Sequence, residues 1–259
     1  MKIGVSYNVF DGEELLEASI KSIRQNVDYI NIVYQTTSNF GNKCSDELLD
    51  VVNDLKNKGL VEELFLYEPD LKRGAWNETK KRRIGLSLCK KQKCTHFLNM
   101  DTDEFYEDKQ FKYAKDIVQK EKIGASACRI YYYMTEPIYR GVSVPNNHFA
   151  PFLFSVNFLT VINKFMKYKF SVDPTRRVGN LITRTYFRNP KLFEEHELMM
   201  HHMSFIRKDI SKKWSNTSHT TSRSLAKEKT LELLNWKYDK SDKSIIKVKN
   251  QFNIDISEW

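Results

Sequence analysis

The chain has 259 residues, 41% hydrophobic and 29% charged, long enough for one large α/β domain, or one domain with a small appendage, and able to bury a sizeable core. Lys and Arg number 42 against 33 Asp and Glu, a formal net charge of +9, so its field favours anionic partners such as phosphates, acidic polymers or an anionic membrane face. The cysteines Cys44, Cys89, Cys94 and Cys128 form no Cys-x-x-Cys pair, which argues against a disulfide framework or a zinc knuckle.

The elements alternate along the first hundred residues. Ile3 to Tyr7 predicts a short buried strand, and Asn8 to Asp11 a polar turn. Glu13 to Gln25 follows with Leu15, Leu16, Ile20 and Ile23 at helical spacing. Ile30 to Tyr34 reads as a second strand, Asp46 to Lys58 as a helix stopped by Gly59, and Leu60 to Tyr67 as a third strand before Pro69. A basic helix from about Asn77 to Lys91 leads into the apolar run Thr95 to Leu98. Beyond it, a helix from Phe111 to about Lys120, a Tyr-rich strand from Ala125 to Met134, a strand from Leu198 to Arg207 and a helix from Leu225 to Trp236 are predicted. Asn146 to Asn180, interrupted by Pro151 and Pro174, yields no clear elements. Alternating strands and helices imply an α/β fold with a mostly parallel sheet and helices on both faces. No run approaches the ~18 apolar residues of a membrane span, and the N-terminal apolar run is short for a signal peptide. The expectation is a soluble, cytoplasmic protein, with peripheral contact to the inner membrane face as one use of its charge.

The most informative stretch is Asn99-Met100-Asp101-Thr102-Asp103-Glu104-Phe105-Tyr106, which ends the apolar run on paired carboxylates. In open α/β sheets ligands bind beyond the carboxyl ends of the strands, where this motif falls. Strand alternation would put Asp101 and Asp103 on one face, with Thr102 turned away, so that one Mg²⁺ or Mn²⁺ ion could touch both. Taken alone, two acids at a strand end equally suit a solvated turn.

A βαβαβ half, a basic helix and a strand ending in Asp-x-Asp-Glu-Phe resemble the nucleotide-sugar glycosyltransferases of the GT-A fold, with a likeness to the bacterial family 2-like group and a second one to family 17. The segment Lys81-Arg82-Arg83-Ile84-Gly85 approaches a Lys-Arg-Asn-x-Gly-like sequence, with Arg83 in place of Asn. His202-Met203-Ser204-Phe205, Lys212-Lys213 and Ser215-Asn216-Thr217-Ser218-His219 approach the family 17-like C-terminal pattern. The resemblance implies one GT-A, Rossmann-like domain over residues 1–259. Residues 1–108 would be its nucleotide-sugar-binding half, and 109–259 an acceptor-side α+β extension ending in a helix and tail. It implies a metal-dependent hexosyltransferase-like enzyme that moves sugar from a nucleoside diphosphate sugar, with a UDP-sugar expected, to a glycan or other hydroxyl acceptor. Mn²⁺ or Mg²⁺ would be the cofactor. It also implies metal ligation by Asp103, a ribose or metal-water contact for Asp101, and a third ligand in His202, whose neighbour His201 faces the other way if the segment is a strand.

The remaining candidates come from position and chemistry. Arg73 and Arg82 offer guanidinium forks to a diphosphate or nucleotide. Tyr7, Asn8 and Gln35, at the ends of the first two strands, are expected to line the base pocket. An inverting enzyme needs a carboxylate base for the acceptor hydroxyl; Glu194 and Glu195 are the candidates, with Asp173 as the other. Two further classes fit parts of the sequence. A metal-dependent nucleotidyltransferase also uses paired acids, although no Gly-rich phosphate loop follows the first strand. A basic module for nucleic acid or an anionic membrane fits the charge, but its aromatic residues form no stacking motif and no specific nucleic-acid partner is expected.

Overall fold

The computed structural model describes residues 1–142, 148–185, 189–216 and 224–257. Nine strands form one mixed sheet, with β1 (Ile3–Val9), β2 (Tyr29–Tyr34), β3 (Glu63–Leu66) and β4 (His96–Asp101) as its parallel part in the order β3-β2-β1-β4. Helix α1 (Glu13–Ile23) links β1 to β2 and α2 (Leu48–Asn57) links β2 to β3, whereas α3 (Gly74–Lys91) carries the chain from β3 back past β2 to place β4 on the other side of β1. The remainder of the order is β8 (Ala150–Ser155), β6 (Ala125–Tyr132), β12 (Met199–His202) and the two-residue β5 (Glu104–Phe105), with the ninth strand, β11 (Pro190–Leu192), pairing parallel with β6 off this path. Here β8 runs antiparallel to both β4 and β6, whereas β12 lies parallel to β6. The sheet is therefore mostly parallel in its first half and mixed in its second, and the segment without legible elements supplies the strand that joins them.

Alternation sets the two faces. Ile3, Val5, Tyr7 and Val9 of β1, with Leu98 and Met100 of β4, pack beneath α1, α2 and α4 (Asp108–Lys120). Leu86, Leu88 and Cys89 of α3 cover the other face with Phe97 and Phe154. That second face carries small residues where α3 crosses β1. A Cβ on Gly85 would collide with the Ser6 side chain, so glycine there permits the close crossing. It also brings the α3 side chains near β4.

The later chain adds β7 (Tyr139–Gly141), β9 (Thr160–Ile162), a 3₁₀ turn at Pro174–Arg176, β10 (Val178–Asn180), β11 (Pro190–Leu192), α5 (Ile210–Asn216), α6 (Ala226–Asn235) and β13 (Ile245–Lys247). β9 and β10 form a separate antiparallel hairpin against α3, and β13 pairs with β7. The strand expected from Leu198 to Arg207 stops at His202. After it the chain turns, with the Met203 amide donating to the Asp103 carbonyl at 2.7 Å. No helix among the described residues is long and apolar enough to cross a membrane.

Candidate active site

β4 ends at Asp101, the chain turns through Thr102 and Asp103, and β5 pairs antiparallel with β12, matching Glu104 to His202 and Phe105 to His201. That pairing brings the second half of the chain onto the acidic motif. Strand alternation then separates the two histidines. His202 points at the motif, its Nε2 3.4 Å from Asp103 Oδ1. His201 is fully buried behind it, held by the Tyr133 hydroxyl at 2.8 Å and facing Glu107 at 3.5 Å. Burial lowers the His201 pKa, with Glu107 opposing, so that imidazole belongs to the packing rather than to the site.

Asp101 and Asp103 have different cation partners. Asp101 is flanked by Arg82, 3.2 Å from Oδ1, and by Arg176 on Oδ2, while Arg176 also reaches Glu104 at 2.6 Å. Burial pushes the Asp101 carboxyl up, but Arg176 and Arg82 outweigh it and hold it well below the usual carboxylate range. Glu104 keeps a raised pKa because burial exceeds the pull of Arg176. Asp103 Oδ2 accepts from Arg207 at 2.5 Å and Lys213 at 3.1 Å. Its pKa also lies well below normal, since Lys213, His202 and Arg207 together overcome the cost of burial. Arg207 fits because residue 12 is glycine, at φ 75°: its guanidinium occupies the space a Cβ would take.

These groups border a cavity of about 430 Å³ at the carboxyl edge of the parallel strands. Asn8, Gln35, Asp101, Asp103 and His202 line it, as do Lys81, Phe205, Arg207, Lys213 and Trp214. Of the expected site residues, five therefore converge. Gln35 is fixed by donating to the Thr37 carbonyl at 2.8 Å, and its buried Oε1 has no partner. Arg82 lies under the cavity rather than in it. It is buried, bonds Asn99 and Asp101, and donates to Asn8 at 3.2 and 3.3 Å when the Asn8 amide oxygen is turned toward it. It can orient Asn8 and Asp101 but is not placed to grip a ligand itself.

Other expectations fall elsewhere. Tyr7 is one residue from Asn8 and so points to the opposite face, where its hydroxyl meets Ser19 at 3.0 Å inside the core. Arg73 is exposed at the start of α3 and faces Asp70 at 3.6 Å, outside the cavity lining. Glu194 and Glu195 precede β12 beside Ala127, whose carbonyl accepts from Phe193. Because β12 runs from there toward His202, both acids lie at its opposite end and neither lines the cavity. Asp173 caps the 3₁₀ turn by accepting from the Thr175 amide at 2.8 Å and lies 4.0 Å from Arg176; it too is outside the lining. His219 and its neighbours Thr217 and Ser218 lie outside the described residues.

The cation sites missed by sequence are Arg176, from the segment whose fold no periodicity revealed, and Arg207, which the sequence put at the end of a strand that in fact stops at His202. Lys213 was visible only as part of the Lys212-Lys213 doublet. As a metal site, the expected triad fits in part. A hard cation about 2.1 Å from each of two ligands separates them by about 3–4 Å, which matches the Asp103–His202 gap. Both oxygens of Asp101 face arginines instead, so its inclusion would require one of them to move. Among the described residues, no three His, Cys, Asp or Glu side chains converge as a metal site.

No family model matches the chain, and no curated protein matches it. Among solved structures it is similar to S. aureus TarS 1–349, at 10% identity and a TM-score of 0.48, over 91% of this chain and 71% of that one. A structure of S. aureus TarS gives 12% identity and a TM-score of 0.47, over 92% and 41% of the two chains. TarS 1–349 in complex with UDP-GlcNAc gives 15% and 0.40, over 57% and 38%. The chain thus spans about two fifths of the length of the last two.

Proposed function

We propose that this protein is a glycosyltransferase of the GT-A type that takes a nucleoside diphosphate sugar as donor and a glycan or other hydroxyl compound as acceptor. The observation that carries this reading is the convergence of Asp103, His202, Lys213 and Arg207 on one polar cavity at the carboxyl edge of the parallel strands. A diphosphate leaving group needs positive charge where its own negative charge grows, and Lys213 and Arg207 border the cavity where that charge would develop. Asn8 and Gln35, at the strand ends, supply amide groups to a base, and Phe205 and Trp214 form an aromatic wall suited to a sugar or base face.

In this reading Asp103 and His202 hold the Mn²⁺ or Mg²⁺ ion, and the remaining positions are left to water and diphosphate oxygens, as Mg²⁺ sites commonly are. When bound, the ion would offset the charge of the departing diphosphate. Lys213 and Arg207 are then free to turn from Asp103 toward the phosphates, while Asp101, kept ionised by its two arginines, holds the turn between β4 and β5.

The test is incubation of the purified protein with a panel of nucleotide sugars, with Mn²⁺, with Mg²⁺ and with chelator, followed by analysis of the nucleotide released. Nucleoside diphosphate formed only with a metal supports the reading. Pyrophosphate formed from a nucleoside triphosphate and a sugar acid or sugar phosphate would assign the site to a nucleotidyltransferase instead. No turnover, together with no nucleotide-induced thermal shift, would overturn both.

A further inference from the structure

Between Asn157 and Asn189 the chain carries Lys164, Lys167, Lys169 and Arg184 around the β9–β10 hairpin, and Asp173 is the only acid in that span. Four large apolar side chains are exposed on the same feature: Phe158 at 87%, Phe165 and Ile182 at 73%, and Leu181 at 56%. They are not scattered. The Leu181 amide donates to the Leu159 carbonyl at 2.9 Å, which sets the Phe158 and Leu181-Ile182 turns side by side. The Lys167 amide donates to the Arg184 carbonyl at 3.2 Å, which lays the segment after Phe165 along the same turn. Lys164 leans over the Phe165 ring at 5.1 Å. Among the described residues none of Lys164, Lys167, Lys169 and Arg184 is in an ion pair, unlike Arg176 at the base of the hairpin.

Water opposes exposure of four large apolar groups on one feature, and the single-sign charge around them has no ion-pair partner among the described residues. Apolar side chains flanked by unpaired Lys and Arg are the pattern of an interfacial anchor: the rings and branched chains enter the acyl boundary while the cations meet lipid phosphates. We propose that the β9–β10 hairpin is a docking surface for an anionic lipid bilayer, with Phe158, Leu181 and Ile182 as the inserted tip and the basic residues as its collar. The rest of the hairpin is firmly built. Ile162 and Val178 are buried against Leu86 and Cys89 of α3, and Lys90 donates to the Phe158 and Thr160 carbonyls at 3.2 and 2.6 Å. A rigid base presents the tip without the cost of ordering it on contact.

The surface stands apart from the cavity but not far from it. Ile182 follows Arg176 by six residues, on the order of 20 Å at full extension. Arg176 in turn grips Asp101 and Glu104. Docking would therefore hold the Arg176 side of the acidic motif near the lipid phase.

The experiment is sedimentation of the full chain with phosphatidylcholine vesicles containing or lacking phosphatidylglycerol, at low and high salt, with no nucleotide present, so that its result does not depend on the enzymatic reading. Binding that requires the anionic lipid and weakens with salt is expected. Phe158→Asp with Ile182→Asp should abolish it at unchanged melting temperature, since both side chains are already in water. Lys164→Gln and Lys167→Gln should each weaken it roughly fivefold. Failure to bind anionic vesicles overturns the proposal, as does binding that the Asp variants leave intact. Displacement from the vesicles by a single-stranded oligonucleotide that binds the wild type and the Asp variants equally would also overturn it, because charge alone would then be the attraction.

Discussion

The two halves of the molecule contribute opposite charges to one site. Residues before α4 supply the carboxylates Asp101, Asp103 and Glu104, and of the cations paired with them only Arg82 is theirs. Arg176, His202, Arg207 and Lys213 all come from beyond α4. The first half is a set of parallel strands whose partners are near in sequence; the second reaches the site by long-range contacts, with Lys213 110 residues from Asp103. A buried carboxylate without its cation is costly, so neither half holds this site alone. Assembly of the site therefore requires the second half to be folded onto the first.

Substitution of the cation that bridges two acids breaks the comparison most severely. Arg176→Met leaves Glu104, 3% exposed, and Asp101 without it and should destabilise the fold by about 3–5 kcal/mol. Urea unfolding measures this; a loss under about 1 kcal/mol would mean that water already replaces the pair. Asp103→Asn keeps an oxygen for Arg207 and Lys213 and should leave folding nearly intact while cutting transfer by about a thousandfold. Asp103→Ala is a poorer probe, because it strands the buried Arg207. Smaller still, His202→Ala should raise the Mn²⁺ concentration needed for half-maximal thermal stabilisation by at least about tenfold, and His201→Ala should lower stability with the metal response unchanged. The opposite pattern would transfer the ligand role to His201.

The contrast also explains what the sequence made legible. Elements in the first half carry their own signals: a short buried strand pattern in β1, an apolar run into β4, Gly59 after α2, and a carboxylate pair where that run stops. The separation of His201 from His202 needed only strand alternation. Tyr7 was misplaced by the same rule, since being at a strand end did not say which face it took. Arg176 was hidden because a Pro-bounded 3₁₀ turn has no periodicity, and β8 because nothing local says that a strand after Pro145 and Asn146 will insert between β4 and β6. Glu194 and Glu195 preceded the right strand, but strand direction, set by pairing with β6, put them at its wrong end. Arg207 depended on a hole left by Gly12, almost two hundred residues earlier in the chain.

The smallest effect tests whether the halves unfold together. Burial lowers the pKa of His96, in the first half, to about 4, and lowers that of His201 in the second. The unfolded value is about 6.5, so both histidines bind protons more readily in the unfolded chain. Their sign follows from linkage: the stability is fully present above pH 6.5 and is lost as pH falls through the window toward the folded values, about 4 for His96. His96→Gln should flatten the decline in unfolding free energy between about pH 6.5 and 4.5 by at most about 1–2 kcal/mol, and His201→Gln should flatten it in the same direction. If the halves form one cooperative unit, tryptophan fluorescence and far-UV circular dichroism report the same transition for both variants. A variant whose two signals separate on acidification would show that its half opens alone, and the site, whose charges come from both, would be lost at the earlier of the two transitions.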